Sequence, residues 1–310
     1  MNGIELSRAY YQQFGEPMLK RDFPALYPRL AAAKVGEGSD CFGFDDALSR
    51  DHDFEAGFLL LAPDDTDRKT LFALERAYAA LPQEFMGVRR PKMAPPGGRR
   101  CGVFTVSEFY LRETGHPTPP ADDAAFYAIP DYALAAATNG AVFYDGTGDF
   151  TARREGFSRL PSAVRATRLA AALIAAGQSG QYNYARCVGH GEEGAAQLAI
   201  TDFVKSCLQI CFLLEEKHPP FYKWVFRALR ALPRFSDLAE PLSFLLTSEN
   251  SAALVPHKAG IVEDVALRFS DALRKEGLSN VESPDLERHA YAVKDTVPKE
   301  SPLSRLSVFG

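Results

Sequence analysis

The stretch GSDCFGFDDALSRDHD, residues 38–53, decides how this chain is interpreted. A Gly-Ser pair opens it, and two aspartates separated by one residue, Asp51 and Asp53, close it. If the end of the stretch is a β-strand, the alternation of side chains puts both carboxylates on the same face. Two neighbouring carboxylates repel each other, and a divalent cation removes that conflict. Hard oxygen ligands of this kind suit Mg²⁺ that is bound together with substrate phosphates.

The residues around the two aspartates favour the same interpretation. A turn at Gly38 and Ser39 would offer backbone N–H groups and a hydroxyl to phosphate oxygens. Gly43 adds a second flexible point, and Ser49 stands just before the aspartates. The apolar run that follows predicts that the carboxylates lie at the mouth of a buried sheet. The stretch therefore indicates a site for a metal–nucleotide complex, and the alternative is an acidic surface loop that contains a Gly-Ser pair by coincidence.

Composition limits the classes of protein to which the chain can belong. Its 310 residues include 35 basic and 40 acidic side chains, and the net charge of −5 disfavours nucleic acid as the main partner. The five cysteines are widely spaced and include no CxxC pair, which disfavours a disulfide framework or a structural zinc site. We find no apolar signal core and expect no membrane segment. These features predict a cytoplasmic protein with reduced thiols.

The pattern along the chain predicts an α+β fold in two domains. Residues 1–150 are expected to form a small mixed sheet with flanking helices, because strand-like and helix-like segments alternate there. The segments that carry this pattern are 52–62 (strand), 65–81 (helix) and 102–111 (a strand, or a strand that passes into a helix). From residue 162 onward the pattern is almost purely helical. We therefore predict a helical bundle over 151–310, with a loosely packed tail from about residue 283.

The spacing of the opening stretch resembles the signature of the DNA polymerase beta-type nucleotidyltransferase superfamily. Antibiotic nucleotidyltransferases of that superfamily pair a small α/β catalytic domain with a C-terminal helical bundle. The chain is more similar still to a bacterial nucleotidyltransferase-like domain family of unknown function. The segments that carry this likeness are GSDCFGFDDALSRDHDF (38–54), TNGAVFYDGTGDFTARR (138–154), GQSGQYNYAR (177–186) and FLLEEKHPPFYKW (212–224).

The resemblance implies a nucleotidyltransferase-type sheet and an Mg²⁺-dependent reaction. Asp51 and Asp53 would hold one or two Mg²⁺ ions on the phosphates of an NTP, which we expect to be ATP. Gly38 and Ser39 would bind the β- and γ-phosphates, with Ser49 close to them. A hydroxyl of a small-molecule acceptor would attack the α-phosphorus, so that a nucleoside monophosphate is transferred and pyrophosphate is released.

Members of the superfamily often have a third carboxylate on a neighbouring strand, where it acts as a metal ligand or base. Glu108, in the segment GVFTVSEF, is the best positional candidate for this role. The alternative is a solvent-facing glutamate at the end of a strand. Asp145 and Asp149 lie in a glycine-rich turn, where aspartate is ordinarily structural.

Two further groups of residues are candidates for nucleotide contacts from the helical half. On an α-helix, Gln178, Gln181, Tyr182 and Arg186 would share one face, which would line a cleft that the helical domain closes over the nucleotide. The alternative is an ordinary solvated face. Lys223 stands among three aromatic residues and would reach a triphosphate, or else its neighbours pack and its ammonium extends to solvent.

The leading functional prediction is a nucleotidyltransferase of the EC 2.7.7 type, with a nucleotide and a small-molecule acceptor as its partners. A nucleotide-binding regulatory protein without transfer activity is the alternative, because the third carboxylate is not fixed by the sequence. A nucleotidyltransferase of toxin–antitoxin type that acts on RNA or protein is a weaker one. The basic loop at residues 89–100 is expected to be a solvated loop rather than a contact for RNA or phosphate.

Overall fold

The computed structural model describes residues 1–46, 55–90 and 100–308. In that part of the chain the strands are β1 (Ala31–Lys34), β2 (Leu59–Ala62), β3 (Glu84–Phe85), β4 (Val88–Arg89), β5 (Gly102–Thr105) and β6 (Ala141–Asp145). The α-helices are α1 (Gly3–Tyr10), α2 (Glu16–Asp22), α3 (Arg68–Ala79), α4 (Val106–Thr114), α5 (Asp123–Tyr127), α6 (Asp131–Thr138), α7 (Asp149–Ser158), α8 (Ser162–Ala176), α9 (Ala185–Gly189), α10 (Glu193–Leu214), α11 (Tyr222–Leu229), α12 (Ala239–Thr247), α13 (Val255–Lys275) and α14 (Leu286–Lys294). Two π-helical segments, Tyr11–Gly15 and Gly177–Tyr184, continue the helices on either side of them.

The chain divides into two compact units. The first contains Met1–Pro120 and Ile129–Arg159, and the second contains Ala121–Ala128 and the chain from Leu160 onward. The division falls later than the predicted position near residue 150 because α7 packs against α6 and belongs to the first unit. The short helix α5 joins the second unit because it packs against α8.

A four-stranded mixed sheet in the order β5-β2-β1-β6 organises the first unit. Strand β1 is antiparallel to β2 and to β6, while β2 and β5 are parallel. The α+β fold class is therefore confirmed. Strand β6 was not predicted, and the strand predicted over 52–62 is shorter in the structure. Residues 55–58 are not strand, so β2 begins only at Leu59.

The two ends of this sheet carry different side chains. At one end β1 finishes with Lys34, and the three other strands begin; we call this the Lys34 end. At the opposite end β1 begins with Ala31, and the three other strands finish; we call this the Ala31 end. The Gly-Ser pair follows β1 directly, so it lies at the Lys34 end.

Helices α1 and α2 cover one face of the sheet. Asn2 and Glu5 form a capping box that begins α1. Tyr10, Tyr11 and Phe58 are buried aromatic residues of the core between these helices and the sheet. The helix continues through Gly15 as a π-helical turn, in which the missing side chain of Gly15 lets the helix approach Phe58.

Helices α8, α10 and α14 form the centre of the second unit. Helix α10 is the one described helix that is long and apolar enough to cross a membrane by length and composition, but 61% of its most apolar window is buried inside the protein. Its apolar side chains therefore contribute to the core of the helical unit.

The tail after residue 283 is packed, contrary to the prediction of a loosely packed end. Leu286, His289, Ala290 and Val293 are fully buried on one face of α14, which packs against α8. These positions follow the i, i+3, i+4, i+7 spacing of an amphipathic helix. Asp285 caps the first turn of α14 by accepting hydrogen bonds from two backbone N–H groups.

Candidate functional site

The Gly38–Ser39 pair opens a compact turn at the Lys34 end of the sheet, which we call the Gly-Ser turn (residues 38–44). The Cys41 N–H donates to the Gly38 carbonyl at 3.0 Å, and the Phe44 N–H donates to the Ser39 carbonyl at 2.8 Å. Within the described residues, the N–H groups of Gly38 and Ser39 themselves donate no hydrogen bond. Two consecutive backbone donors without a partner are the arrangement that binds an anion.

The chain between β1 and this turn is held by the segment that precedes β6. The Gly36 N–H donates to Asn139 Oδ1 at 3.0 Å, and Asn139 Nδ2 donates to the Gly36 carbonyl at 2.7 Å. Gly140 has a φ of +67°, and a Cβ at this position would collide with the Lys34 carbonyl. The direction in which the backbone leaves β1 is therefore set by Asn139 and Gly140.

A buried ion pair connects the last residue of β1 to the Gly-Ser turn. Lys34 Nζ is 2.7 Å from Asp40 Oδ2, and the two residues are 0% and 2% exposed. Lys34 Nζ also contacts Cys101 Sγ at 3.6 Å. Burial alone would lower the pKa of Lys34, but the opposing influence of Cys101, Asp40, Cys41 and Glu55 raises it well above its ordinary value.

Burial also acts on the two thiols of this cluster. Burial raises the pKa of Cys41 to about 12, and it raises the pKa of Cys101 well above its ordinary value. The Lys34 ammonium pairs with the buried carboxyl group of Asp40, and Glu55 is buried as well. The sequence interpretation missed Lys34, although a lysine that directly follows three strand alanines was a visible signal.

Arg100 brings a second positive charge to the turn. Its Nη1 lies 3.4 Å from the position that a Cβ on Gly38 would occupy. The prediction treated the whole basic loop as solvated, whereas its last residue, Arg100, lies beside Gly38.

Helix α4 ends close to the same place. The Glu113 side chain is 5% exposed and pairs with Arg112 at 2.7 Å. Burial raises the pKa of Glu113. The charge of Arg112 opposes this rise, Glu37 adds to it, and Arg100 opposes it. Glu37, one of these charges, directly precedes Gly38 in the sequence.

The predicted metal ligands Asp51 and Asp53, together with Ser49, lie outside the described residues. Their roles stay predictions. Among the residues that the structure does describe, no group of three or more His, Cys, Asp and Glu side chains could hold a metal ion.

Glu108 does not lie near the Gly-Ser turn, which corrects the choice of this residue as the third carboxylate. Strand β5 ends at Thr105, and Glu108 stands in the first turn of α4 at the Ala31 end of the sheet. Its carboxylate accepts a hydrogen bond from the Thr105 N–H at 2.7 Å, while Thr105 Oγ1 accepts from the Glu108 N–H at 3.1 Å. Glu108 and Thr105 therefore form a capping box, and the sequence pattern Thr105-Val-Ser-Glu108 indicates this role.

The Ala31 end holds a cavity of about 390 Å³ whose charged groups are used structurally. Asp145 accepts hydrogen bonds from the Gly148 and Thr151 N–H groups and so caps α7. Arg153 is 2.8 Å from both Asp64 and Asp149. These contacts agree with the structural role predicted for Asp145 and Asp149.

The polar residues at 178–186, which were predicted to share one face of an α-helix, do not share that face in the structure. The Gly177–Tyr184 segment is π-helical, so the residues do not follow α-helical spacing. Gln178 Nε2 donates to Glu287 at 2.7 Å, which ties this segment to α14. Tyr182 and Arg186 are exposed, and the guanidinium lies 5.0 Å from the tyrosine ring centroid.

Lys223 is exposed in the first turn of α11. Its ammonium lies 5.2 Å from the centroid of the Trp224 ring, which is a cation–π contact on the surface of the helical unit. Tyr222 beside it is 77% exposed. Nucleotide contacts from Lys223, Arg186, Tyr182 and Gln178 stay predictions.

Comparisons with known proteins give a partial match. Residues 126–225, about a third of the 310, match the family described as Domain of unknown function (DUF4037). The crystal structure of a nucleotidyltransferase-like protein from Exiguobacterium sibiricum 255-15 matches with a TM-score of 0.34 and 11% identity, over 86% of this chain and 80% of that chain. No curated protein matches this chain.

Proposed function

We propose that this chain is an Mg²⁺-dependent nucleotidyltransferase that moves a nucleoside monophosphate from an NTP to a hydroxyl of a small molecule. The observation that carries the proposal is the Gly-Ser turn. It follows β1 at the Lys34 end of a mixed sheet, and its first two N–H groups have no hydrogen-bond partner in the described residues. The spacing to Asp51 and Asp53 in the sequence resembles that of the superfamily.

The described residues suit the phosphates of a nucleotide. The N–H groups of Gly38 and Ser39 would donate to phosphate oxygens, and Arg100 would add a charge-assisted hydrogen bond from its guanidinium. Asn139 and Gly140 hold the approach to the turn, so little backbone reordering would be needed when the phosphates bind.

The residues that would hold Mg²⁺ are Asp51 and Asp53. The ion, when bound, would neutralise charge on the phosphates and on the departing pyrophosphate. We propose ATP as the nucleotide, a small-molecule acceptor and a cytoplasmic location, as the sequence predicts.

Radiolabelled transfer tests the proposal. The protein is incubated with Mg²⁺, [α-³²P]NTPs and a metabolite extract, and labelled products and pyrophosphate are measured. We expect Asp51→Asn to abolish both, and Arg100→Ala to reduce both by about tenfold or more. Arg89→Ala is the matched control, because Arg89 is exposed in β4 and pairs only loosely with Glu84 at 3.5 Å. The proposal fails if Asp51→Asn leaves labelling and pyrophosphate release unchanged.

The position of Glu108 favours a second candidate, a nucleotide-binding protein without transfer activity. The residue chosen as the third carboxylate is committed to capping α4 at the other end of the sheet. The same assay separates the two candidates, because the second predicts Mg²⁺-dependent nucleotide binding without pyrophosphate release.

A further inference from the structure

A buried lysine at the end of a strand needs a physical reason. Lys34 and Asp40 are both almost completely removed from solvent, and the cost of desolvating two charges offsets much of their attraction. Apolar side chains of similar size would stabilise this position equally well or better. The pair therefore points to a requirement for a particular local geometry.

That geometry is the conformation of the Gly-Ser turn. One carboxylate oxygen of Asp40 pairs with Lys34, and the other accepts a hydrogen bond from the Cys41 N–H at 3.0 Å. The same oxygen lies where a Cβ on Gly38 would be, so Asp40 folds back against Gly38. Asp40 is thus connected to the strand end, to the backbone within the turn and to the first residue of the turn.

The first helix closes the arrangement from the other side. A Cβ on Gly3 would collide with the Cβ of Asp40, so the beginning of α1 packs directly on this side chain. The Gly3 N–H donates to Asp45 Oδ2 at 3.2 Å, one residue beyond the Gly-Ser turn. Asp40 therefore has little freedom to move while Lys34 holds its other oxygen.

We propose that Lys34 and Asp40 are positioning residues that hold the Gly38 and Ser39 N–H groups in the orientation that binds phosphate. The inference rests on the proposed nucleotide site. Lys34 acts through Asp40, because the ammonium binds the carboxylate and the carboxylate holds the turn. Preorganised donors bind an anion more tightly than donors that must be ordered at the moment of binding.

The double variant Lys34→Met/Asp40→Leu separates positioning from simple charge balance. It removes both charges together, so neither is left buried without a partner. Amide hydrogen exchange over residues 38–44 reports the turn itself, and calorimetric titration with Mg²⁺ and α,β-methylene-ATP reports binding. We expect the folded variant to exchange the Cys41 and Phe44 amides about tenfold faster and to bind the nucleotide about tenfold more weakly.

Lys258→Met is the matched control. Lys258 is also fully buried, but it lies in the helical unit, where its ammonium donates to Asn250 Oδ1 at 2.7 Å and to the Ser248 carbonyl at 3.2 Å. We expect this variant to keep turn exchange and nucleotide affinity within about twofold of the unmodified protein. If the double variant does not fold, Lys34→Met/Asp40→Asn is measured in the same way with the same expected changes, because it also removes both charges and keeps a polar side chain of similar size at position 40.

The outcomes distinguish this inference from the proposed function. Unchanged exchange at the turn and unchanged affinity in the folded variant overturn the positioning role. Faster exchange with unchanged affinity also overturns it, because the turn would then not govern binding. No nucleotide binding by the unmodified protein overturns the proposed function and the phosphate-orienting role together, whereas binding that only the double variant loses supports both.

Discussion

Asn139 holds the backbone of Gly36 with both ends of its side-chain amide, one accepting at 3.0 Å and the other donating at 2.7 Å. The two residues are 103 positions apart in the sequence. At the point where β1 stops pairing with β6, the Asn139 side chain makes the two backbone hydrogen bonds that a neighbouring strand would otherwise make. This contact connects the segment before β6 to the beginning of the Gly-Ser turn.

Replacing Asn139 with leucine should destabilise the first unit. The buried N–H and carbonyl of Gly36 would lose their partners, which costs about 1–3 kcal/mol in the free energy of unfolding. Urea denaturation measures the change. Asn139→Asp retains the acceptor for the Gly36 N–H and should lose less. A leucine variant as stable as the unmodified protein would show that the contact does not contribute.

Gly38→Ala should damage the turn directly. The added methyl group would collide with the Asp40 carboxylate, which must then move away from its place behind the turn. We expect the free energy of unfolding to fall by about 1–3 kcal/mol and nucleotide affinity to fall about tenfold or more. Gly189→Ala is the control, because a Cβ there meets no neighbour within 4 Å. Equal affinity in the two variants would contradict the role of the turn.

Glu108 should matter for stability and not for transfer. Glu108→Ala removes one bond of the capping box on α4 and should cost about 0.5–2 kcal/mol. Glu108→Gln preserves the capping-box pattern and should stay close to the unmodified protein. Thermal unfolding and the radiolabelled transfer assay give the two readouts. A loss of transfer in Glu108→Gln at full stability would return this residue to the active site.

The helical unit should lose stability in mild acid through His289. Its Nε2–H donates to the Ser283 carbonyl at 2.9 Å, its Nδ1 accepts from Ser279 Oγ at 2.8 Å, and burial lowers its pKa. Because the folded-state pKa lies below the unfolded value of about 6.5, this contribution is complete above that pH and is lost as the pH falls below it.

Urea denaturation at about pH 7.5 and pH 5.5 measures this effect in the unmodified protein and in His289→Asn, because the interval brackets the unfolded pKa of histidine. We expect a smaller drop in the free energy of unfolding for the variant. An identical drop in both proteins would assign the acid sensitivity to other groups.

Part of the site could be predicted because its pattern is local. Gly38 and Ser39 directly follow an apolar segment, and the turn they predict is present at the end of β1. The sequence pattern of the Glu108 capping box was also visible, but the prediction for 102–111, a strand or a strand passing into a helix, did not place the start of the helix at Val106. The buried face of α14 could also be predicted from the spacing of its residues, but the polar residues around it led to the prediction of a loosely packed tail.

Other parts depend on contacts that sequence spacing does not reveal. Strand β6 is a short strand after a helix, and its pairing with β1 joins residues more than a hundred positions apart. The interaction of Arg100 with the turn depends on the parallel pairing of β5 with β2, which brings the beginning of β5 to the Lys34 end. The burial of Lys34 follows from the same arrangement.

Calorimetric titration of Mg²⁺ and α,β-methylene-ATP into the unmodified protein, Asp51→Asn and Gly38→Ala tests the central claim most directly. This analogue cannot be cleaved between the α- and β-phosphates, so the measurement needs no acceptor. We predict saturable Mg²⁺-dependent binding to the unmodified protein, and affinities lower by about tenfold or more in both variants. Absence of binding to the unmodified protein, or equal affinity in all three proteins, would contradict a nucleotide site at the Gly-Ser turn.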